Sequence, residues 1–239
     1  MTIHLTKYGQ GSPLVLLHGW GFDSQVWLPL VPTLELHYEL ILVDLPGFGQ
    51  SSMMDWFFFK NVLLKQLPAT FALLGWSLGG LYALRLALEH PERIAFLLTV
   101  CSSPCFVENR PWPGVPGQVL KNFQQKLLIN PEATLKEFLE LQTKYTPGYT
   151  APKSMPSLAG LESGLNNLAS WDLRAALSNL HLPACFLFGI FDALAPAKVI
   201  PCMKESHPQF NYFLFKNSAH MPFLSQKELF IEIIRELIR

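Results

Sequence analysis

Short, unbroken apolar runs recur along the chain at residues 14–17, 40–43, 71–74, 94–100, 184–188 and 210–215. Runs of this length without polar alternation predict strands buried on both faces. Residues 3–8 alternate apolar and polar positions instead, as an edge strand does. Between the runs lie segments with helical spacing: residues 53–67, the stretch from Leu78 to about His90-Pro91, and an amphipathic tail over 226–238. Buried strands alternating with helices predict an α/β fold, a mostly parallel sheet with helices on both faces.

Residues 105–171 break this rhythm. They carry Pro111, Pro113, Pro116, Pro131, Pro147, Pro152 and Pro156, and helical stretches at 119–128 and 131–142, but no buried-strand run. This interval reads as a helical cap inserted between two strands of a core made of residues 1–104 and 172–239. Residues 172–180 read as a helix returning to the sheet. The run Met53-Met54-Asp55-Trp56-Phe57-Phe58-Phe59 has too many consecutive aromatics for one helix face. It reads as extra core under the cap, with an exposed sticky patch as the alternative.

Composition narrows the classes. With 239 residues, half of them hydrophobic and 15% charged, the chain can bury a large core. A formal net charge of zero argues against nucleic-acid binding, which needs a basic excess. No apolar run is long enough to span a bilayer, and the N-terminus lacks signal-peptide anatomy. Cys101, Cys105, Cys185 and Cys202 lack metal-ligand spacing and read as free thiols, which fits the cytoplasm and no metal. The chain is expected to act as a monomer without a cofactor.

The candidate chemistry sits at strand ends. Gly75-Trp76-Ser77-Leu78-Gly79 follows the third buried run and precedes a helix, the context in which G-x-S-x-G presents a nucleophile. A serine hydroxyl needs an imidazole to take its proton. His220 follows the last strand. His18 reads as a support of its loop, His90 sits at a helix end, and His4, His37, His181 and His207 lie away from the strand ends. Asp192 follows the fifth buried run and would hold the imidazole in one tautomer. Asp44 also ends a strand, but Asp44-Leu45-Pro46-Gly47-Phe48-Gly49 reads as a turn braced by its carboxylate, so Asp192 is favoured. The order Ser77, Asp192, His220 is the one used by this strand–turn–helix arrangement. The backbone N–H groups of Trp20 and Leu78 are the candidate oxyanion hole.

Leu17-His18-Gly19-Trp20-Gly21, Val43-Asp44-Leu45-Pro46-Gly47-Phe48-Gly49, Leu74-Gly75-Trp76-Ser77-Leu78-Gly79-Gly80 and Ala219-His220 resemble the α/β-hydrolase superfamily. Within it, Ser102-Ser103-Pro104-Cys105-Phe106 and Phe138-Leu139-Glu140-Leu141-Gln142-Thr143 narrow the likeness. They resemble the esterases of biotin synthesis that hydrolyse the methyl ester of pimeloyl-acyl-carrier protein. The resemblance implies that Trp20, Ser77, Leu78, Phe138, Leu139, Glu140, Leu141, Gln142 and His220 line the acyl site. It also implies acyl-carrier protein as partner. The cap departs from a basic docking surface, with Arg110, Lys121, Lys126, Lys136, Lys144 and Lys153 against Glu108, Glu132, Glu137, Glu140 and Glu162. The other readings of the same triad are a broad short-chain carboxylesterase, a C–C bond hydrolase of diketones and, more remotely, a non-hydrolytic binder on this fold.

Overall fold

The computed structural model describes residues 1–143, 146 and 155–238. Its centre is a seven-stranded sheet. The strands are β1 (Leu5–Tyr8), β2 (Ser12–Leu17), β3 (Tyr38–Val43), β4 (Phe71–Trp76), β5 (Ile94–Val100), β6 (Ala184–Gly189) and β7 (Asn211–Phe215). Their spatial order is β1-β3-β2-β4-β5-β6-β7. Only β1 is antiparallel, pairing Leu5 with Val43, and the other pairings are parallel. The sheet and its strands match the sequence reading closely, because a parallel strand covered on both faces has no polar alternation to obscure it.

The helices are α1 (Val31–Leu34), α2 (Trp56–Gln66), α3 (Leu78–Glu89), α4 (Gly117–Ile129), α5 (Pro131–Thr143), α6 (Leu158–Ser170), α7 (Val199–Ser206), α8 (Pro222–Ser225) and α9 (Lys227–Leu237). Helix α2 starts three residues later than expected, because the Asp55 carboxylate caps it by accepting the Phe58 N–H at 2.9 Å. Helix α3 is buried almost all round from Leu78 to Ala87, since it packs on the sheet and meets α6. Helix α9 buries Phe230, Ile231, Ile233 and Ile234, the apolar face that its period predicts.

Two sequence expectations fail. Residues 172–180 form only a short 3-10 turn over Ala176–Asn179, preceded by a bridge between Cys105 and Asp172. Asp172 spends its carboxylate on Arg174, two residues on, so the segment is pinned in an irregular path. The aromatic run is divided rather than wholly core. Trp56 and Phe59 pack against Tyr82, and Trp56 also meets Trp171, whereas Phe57 and Phe58 are 64% and 51% exposed. A helix turns by 100° per residue, so four consecutive aromatics cannot share one face. Lys144, Lys153, Pro147 and Pro152 lie outside the described residues.

Among the described residues between β5 and β6, no strand joins the sheet; α4 packs on both α5 and α6, and α6 packs on α3. Helix α6, which the sequence pattern did not reveal, is fastened to the sheet side. Its capping Ser157 donates N–H and hydroxyl to Gly47 O, Asn167 donates to Tyr82 Oη at 2.8 Å, and Leu161 O accepts from Trp20 Nε1 at 2.9 Å. At its C-terminal end the Arg85 guanidinium lies between Trp56 and Trp171, 4.9 and 4.3 Å from the ring centroids. Glu89 holds that guanidinium, together with Lys60 and Trp56 Nε1.

The chain leaves β2 towards β3 on one side and returns to β4 on the other, so the crevice at the C-terminal ends of β2 and β4 is the switch point where such sheets bind ligands. Contact there is too close for side chains. A Cβ on Gly79 would lie 2.4 Å from both His18 O and Leu17 O. Gly79→Ala is therefore expected to destabilise the fold by at least about 1–3 kcal/mol, measured by urea unfolding against wild type.

Candidate active site

Ser77 stands between β4 and α3 with φ 56 and ψ −119. Such a backbone is costly for a non-glycine residue and persists only where surroundings enforce it. Here Ser77 N–H donates to Val100 O at 2.9 Å, while Ser77 O accepts from Gly80 N, Leu81 N and Ser102 Oγ. The first amide of a helix has no acceptor within the helix, so Leu78 N–H is free to face a ligand. Across the crevice, Trp20 N–H makes no hydrogen bond among the described residues.

The loop carrying Trp20 is set by His18. Its imidazole is fully buried, donates from Nδ1 to Gly19 O at 2.8 Å and accepts Leu45 N–H at Nε2, 2.9 Å away. Burial holds this histidine's pKa below its usual value, although Asp44 and Asp23 pull the other way. Asp44 braces the neighbouring turn, accepting Ser24 N–H, Gln50 N–H and the His4 ring. Burial alone would raise its pKa, but the hydrogen bonds from Gln50 and Ser24 hold the carboxyl below the usual range. Gly49 at φ 53 leaves room for that carboxylate, since a Cβ there would meet Asp44 Oδ2.

His220 is brought to Asp192 and not to Asp44. His220 Nδ1 lies 2.8 Å from Asp192 Oδ2, and both residues are buried. The other carboxylate oxygen accepts Leu194 N–H and Ala195 N–H at 2.8 and 3.1 Å, which fixes the rotamer. That geometry makes Nδ1 the donor and leaves Nε2 with its lone pair; Nε2 is buried and has no hydrogen-bond partner among the described residues. Trp76, next to Ser77, donates from Nε1 to His220 O at 2.8 Å and packs its ring on the imidazole. The end of β4 and the loop after β7 are thereby tied together.

A cavity of about 200 Å³ opens onto Ser77. Trp20 forms one wall, with its indole edge-on to Phe123 and Phe138 at 5.5 and 4.9 Å. Phe138, Leu141 and Gln142 line it from α5. Leu139 and Glu140 do not. Leu139 is buried towards Gly21, and Glu140 is exposed beside Lys136. The helical period explains the correction: consecutive residues of α5 cannot all face one cavity. Leu78 and His220 are also absent from the lining, and the buried Leu78 side chain packs towards Gly164. The sequence reading missed Phe106, Val115, Phe123, Leu165, Leu168 and Leu194 in the lining. It also missed Cys101, whose buried thiol lies beside Asp192 and His220. Its position at the end of β5 was the available signal.

Strand order, switch-point site and serine turn define a class: the chain belongs to the alpha/beta hydrolase fold family, whose model matches residues 12–226. Within that class it is 50% identical over 239 residues, all of both chains, to the pimeloyl-[acyl-carrier protein] methyl ester esterase of Legionella pneumophila (strain Corby). A protein of the same name from Aeromonas hydrophila subsp. hydrophila is 40% identical over 253 residues, again covering both chains fully. The chain is a member of that esterase family. Among solved structures it is similar to an esterase from Exiguobacterium antarcticum, with TM-score 0.84, 24% identity and coverage of 98% of this chain and 94% of that one. It also resembles the enol-lactonase from Burkholderia xenovorans LB400, with TM-score 0.83, 18% identity and coverage of 99% and 96%. At those identities the likeness is one of fold.

The buried neutral His18 has a pH consequence. Its folded pKa lies below the unfolded value near 6.5, so its contribution to stability is intact above that pH and is lost as pH falls through and below it. Urea midpoints should therefore decline from pH 7.5 to pH 5. His207, also depressed by burial, titrates in the same window. His18→Gln should flatten part of the slope while lowering stability at pH 7.5.

Proposed function

We propose that the chain is a serine carboxylesterase that hydrolyses the methyl ester of pimeloyl-acyl-carrier protein, releasing methanol and leaving the free carboxylate on the carrier-bound chain. The observation that carries this reading is the apolar cavity that opens onto Ser77, in a chain half-identical to esterases of that name. Burying a methylene contributes about 0.8 kcal/mol, so an acyl chain several methylenes long gains several kcal/mol from these walls.

The proposed roles follow from the geometry. Ser77 Oγ attacks the ester carbonyl as its proton passes to His220 Nε2, and Asp192 stabilises the imidazolium. Trp20 N–H and Leu78 N–H hold the oxyanion. Collapse expels the methoxy group, which leaves as methanol with the proton from Nε2. Water then attacks the acyl-enzyme, giving its proton to His220, and Ser77 recovers a proton as the carboxylate departs. Residues 105–171 act as the cap that supplies the acyl wall, with the core formed by 1–104 and 172–239. The carrier protein is the macromolecular partner. A reducing cytoplasm, supported by four free cysteines, and a monomeric state complete the reading. Among the described residues, no helix is long and apolar enough to cross a membrane.

The deciding experiment is complementation of a strain that lacks the biotin-pathway esterase. Growth without biotin is expected. Failure to grow, together with rapid turnover of short p-nitrophenyl esters, would replace this reading with a broad carboxylesterase. Ser77→Ala is expected to cut kcat by about a million-fold, and Asp192→Asn by about ten-thousand-fold, in steady-state assays of the methyl ester. A comparable loss from Asp44→Asn with Asp192→Asn still active would reassign the acid.

A further inference from the structure

Among the described residues, Ser77 and Cys101 are the two non-glycine positions with positive φ, at 56 and 48. The proposed reaction uses the first and leaves the second unexplained. Cys101 directly follows β5, and its N–H donates to Leu187 O at 2.7 Å. The thiol is fully buried, donates to Ala219 O at 3.6 Å and lies beside the Asp192 carboxylate. Its sulfur, one Asp192 oxygen and one His220 ring nitrogen lie within 4.8 Å of one another.

A thiolate, a carboxylate and an imidazole are the donors that Zn²⁺ and its softer analogue Cd²⁺ accept. We propose that Cys101, Asp192 and His220 form an inhibitory site for a thiophilic divalent cation, which stops hydrolysis by occupying His220 Nδ1. Tetrahedral coordination places such ligand atoms about 3.3–3.8 Å apart. The 2.8 Å imidazole–carboxylate contact must therefore open by about 0.5–1 Å, and the sulfur must move in by no more than about 1.2 Å. The proton balance is explicit. The thiol proton goes to solvent, and the Nδ1 proton is replaced by the metal while Nε2 gains one, so the imidazole stays neutral. The cation's two charges are matched by thiolate and carboxylate, which makes the complex compatible with a buried site. With Nε2 protonated, His220 has no lone pair for the Ser77 proton. The metal is thus an inhibitor and not a cofactor. Binding stands on the cluster alone; only its effect on turnover rests on the proposed esterase mechanism.

The test uses the full chain after treatment with a chelator. ZnCl₂ binding is followed by calorimetry, CdCl₂ binding by thiolate-to-metal absorption in the ultraviolet, and turnover with p-nitrophenyl butyrate. One cation per chain is expected, with inhibition that EDTA reverses. Cys101→Ala should weaken binding and inhibition by at least about 100-fold, each judged against that variant's own metal-free rate. Cys202→Ser should keep both. Cys101→Ser, which retains a polar side chain but loses the soft ligand, should lose the cadmium absorption and so separates metal binding from a folding defect. Absence of that absorption in the wild type, or equal Zn²⁺ binding by Cys101→Ala, would overturn the site. Cadmium bound through Cys101 without loss of turnover would overturn its inhibitory role. A chain inactive on every ester would count against the proposed function, while the binding titrations still decide the site.

Discussion

The architecture depends on one strained turn. Ser77 is held at φ 56 because three strands and a helix converge on a point where no extra side-chain atom fits. A Cβ at Gly75 would lie 2.3 Å from Gly79 O, and one at Gly80 would lie 2.4 Å from Ser102 Cβ. The glycines do more than permit a turn. They let α3 start flush against the ends of β2, β4 and β5, so the first helical amide and the loop after β2 face the same space. The Ser102 hydroxyl then fastens Ser77 O from the β5 side. The exposed serine turn, the unpaired helix amide and the helix terminus are thus consequences of a single packing contact.

His220 and Asp192 arrive from the other half of the sheet by a different device. Their loops follow β7 and β6, and each is tied back by hydrogen bonds that a side chain alone would not secure. Asp192 is locked by two amides of its own loop, and His220 is drawn towards β4 by Trp76. Asp44, although also a strand-end carboxylate, is fully engaged in holding three neighbours of its own turn. Both acids accept two backbone amides and one histidine ring, so what separates them is which histidine each holds: His220 for Asp192 and His4 for Asp44.

Much of this was legible in the chain, for identifiable reasons. Double-sided burial writes each parallel strand as an apolar run, and the glycines around Ser77 mark a turn where backbone must approach backbone. The cavity was less legible. Helix α6 escaped because Gly160, Gly164, Asn166 and Asn167 dilute its Leu158, Leu161, Leu165 and Leu168 stripe; yet Gly160 is there because α6 crosses the backbone of Gly47. A residue chosen for tertiary contact weakens the local signal that would reveal its helix. Leu139 and Glu140 failed for the opposite reason: a contiguous motif was assigned one face, whereas α5 distributes it over three. For Cys101 the strand-end position was the one signal, because its partners are 91 and 119 positions away.

The cavity wall also bears on what leaves the site. Its lining is aliphatic and aromatic apart from Ser77 and Gln142, and no cationic side chain belongs to it among the described residues. A neutral methyl ester enters such a site at little electrostatic cost. The carboxylate formed from it cannot be paired there, and an unpaired buried charge is costly. In the proposed reaction the same surface that binds the acyl chain therefore favours departure of its product. A basic residue placed in the wall to grip the substrate more strongly would hold the product more strongly still, so an apolar lining suits turnover better than a charged one.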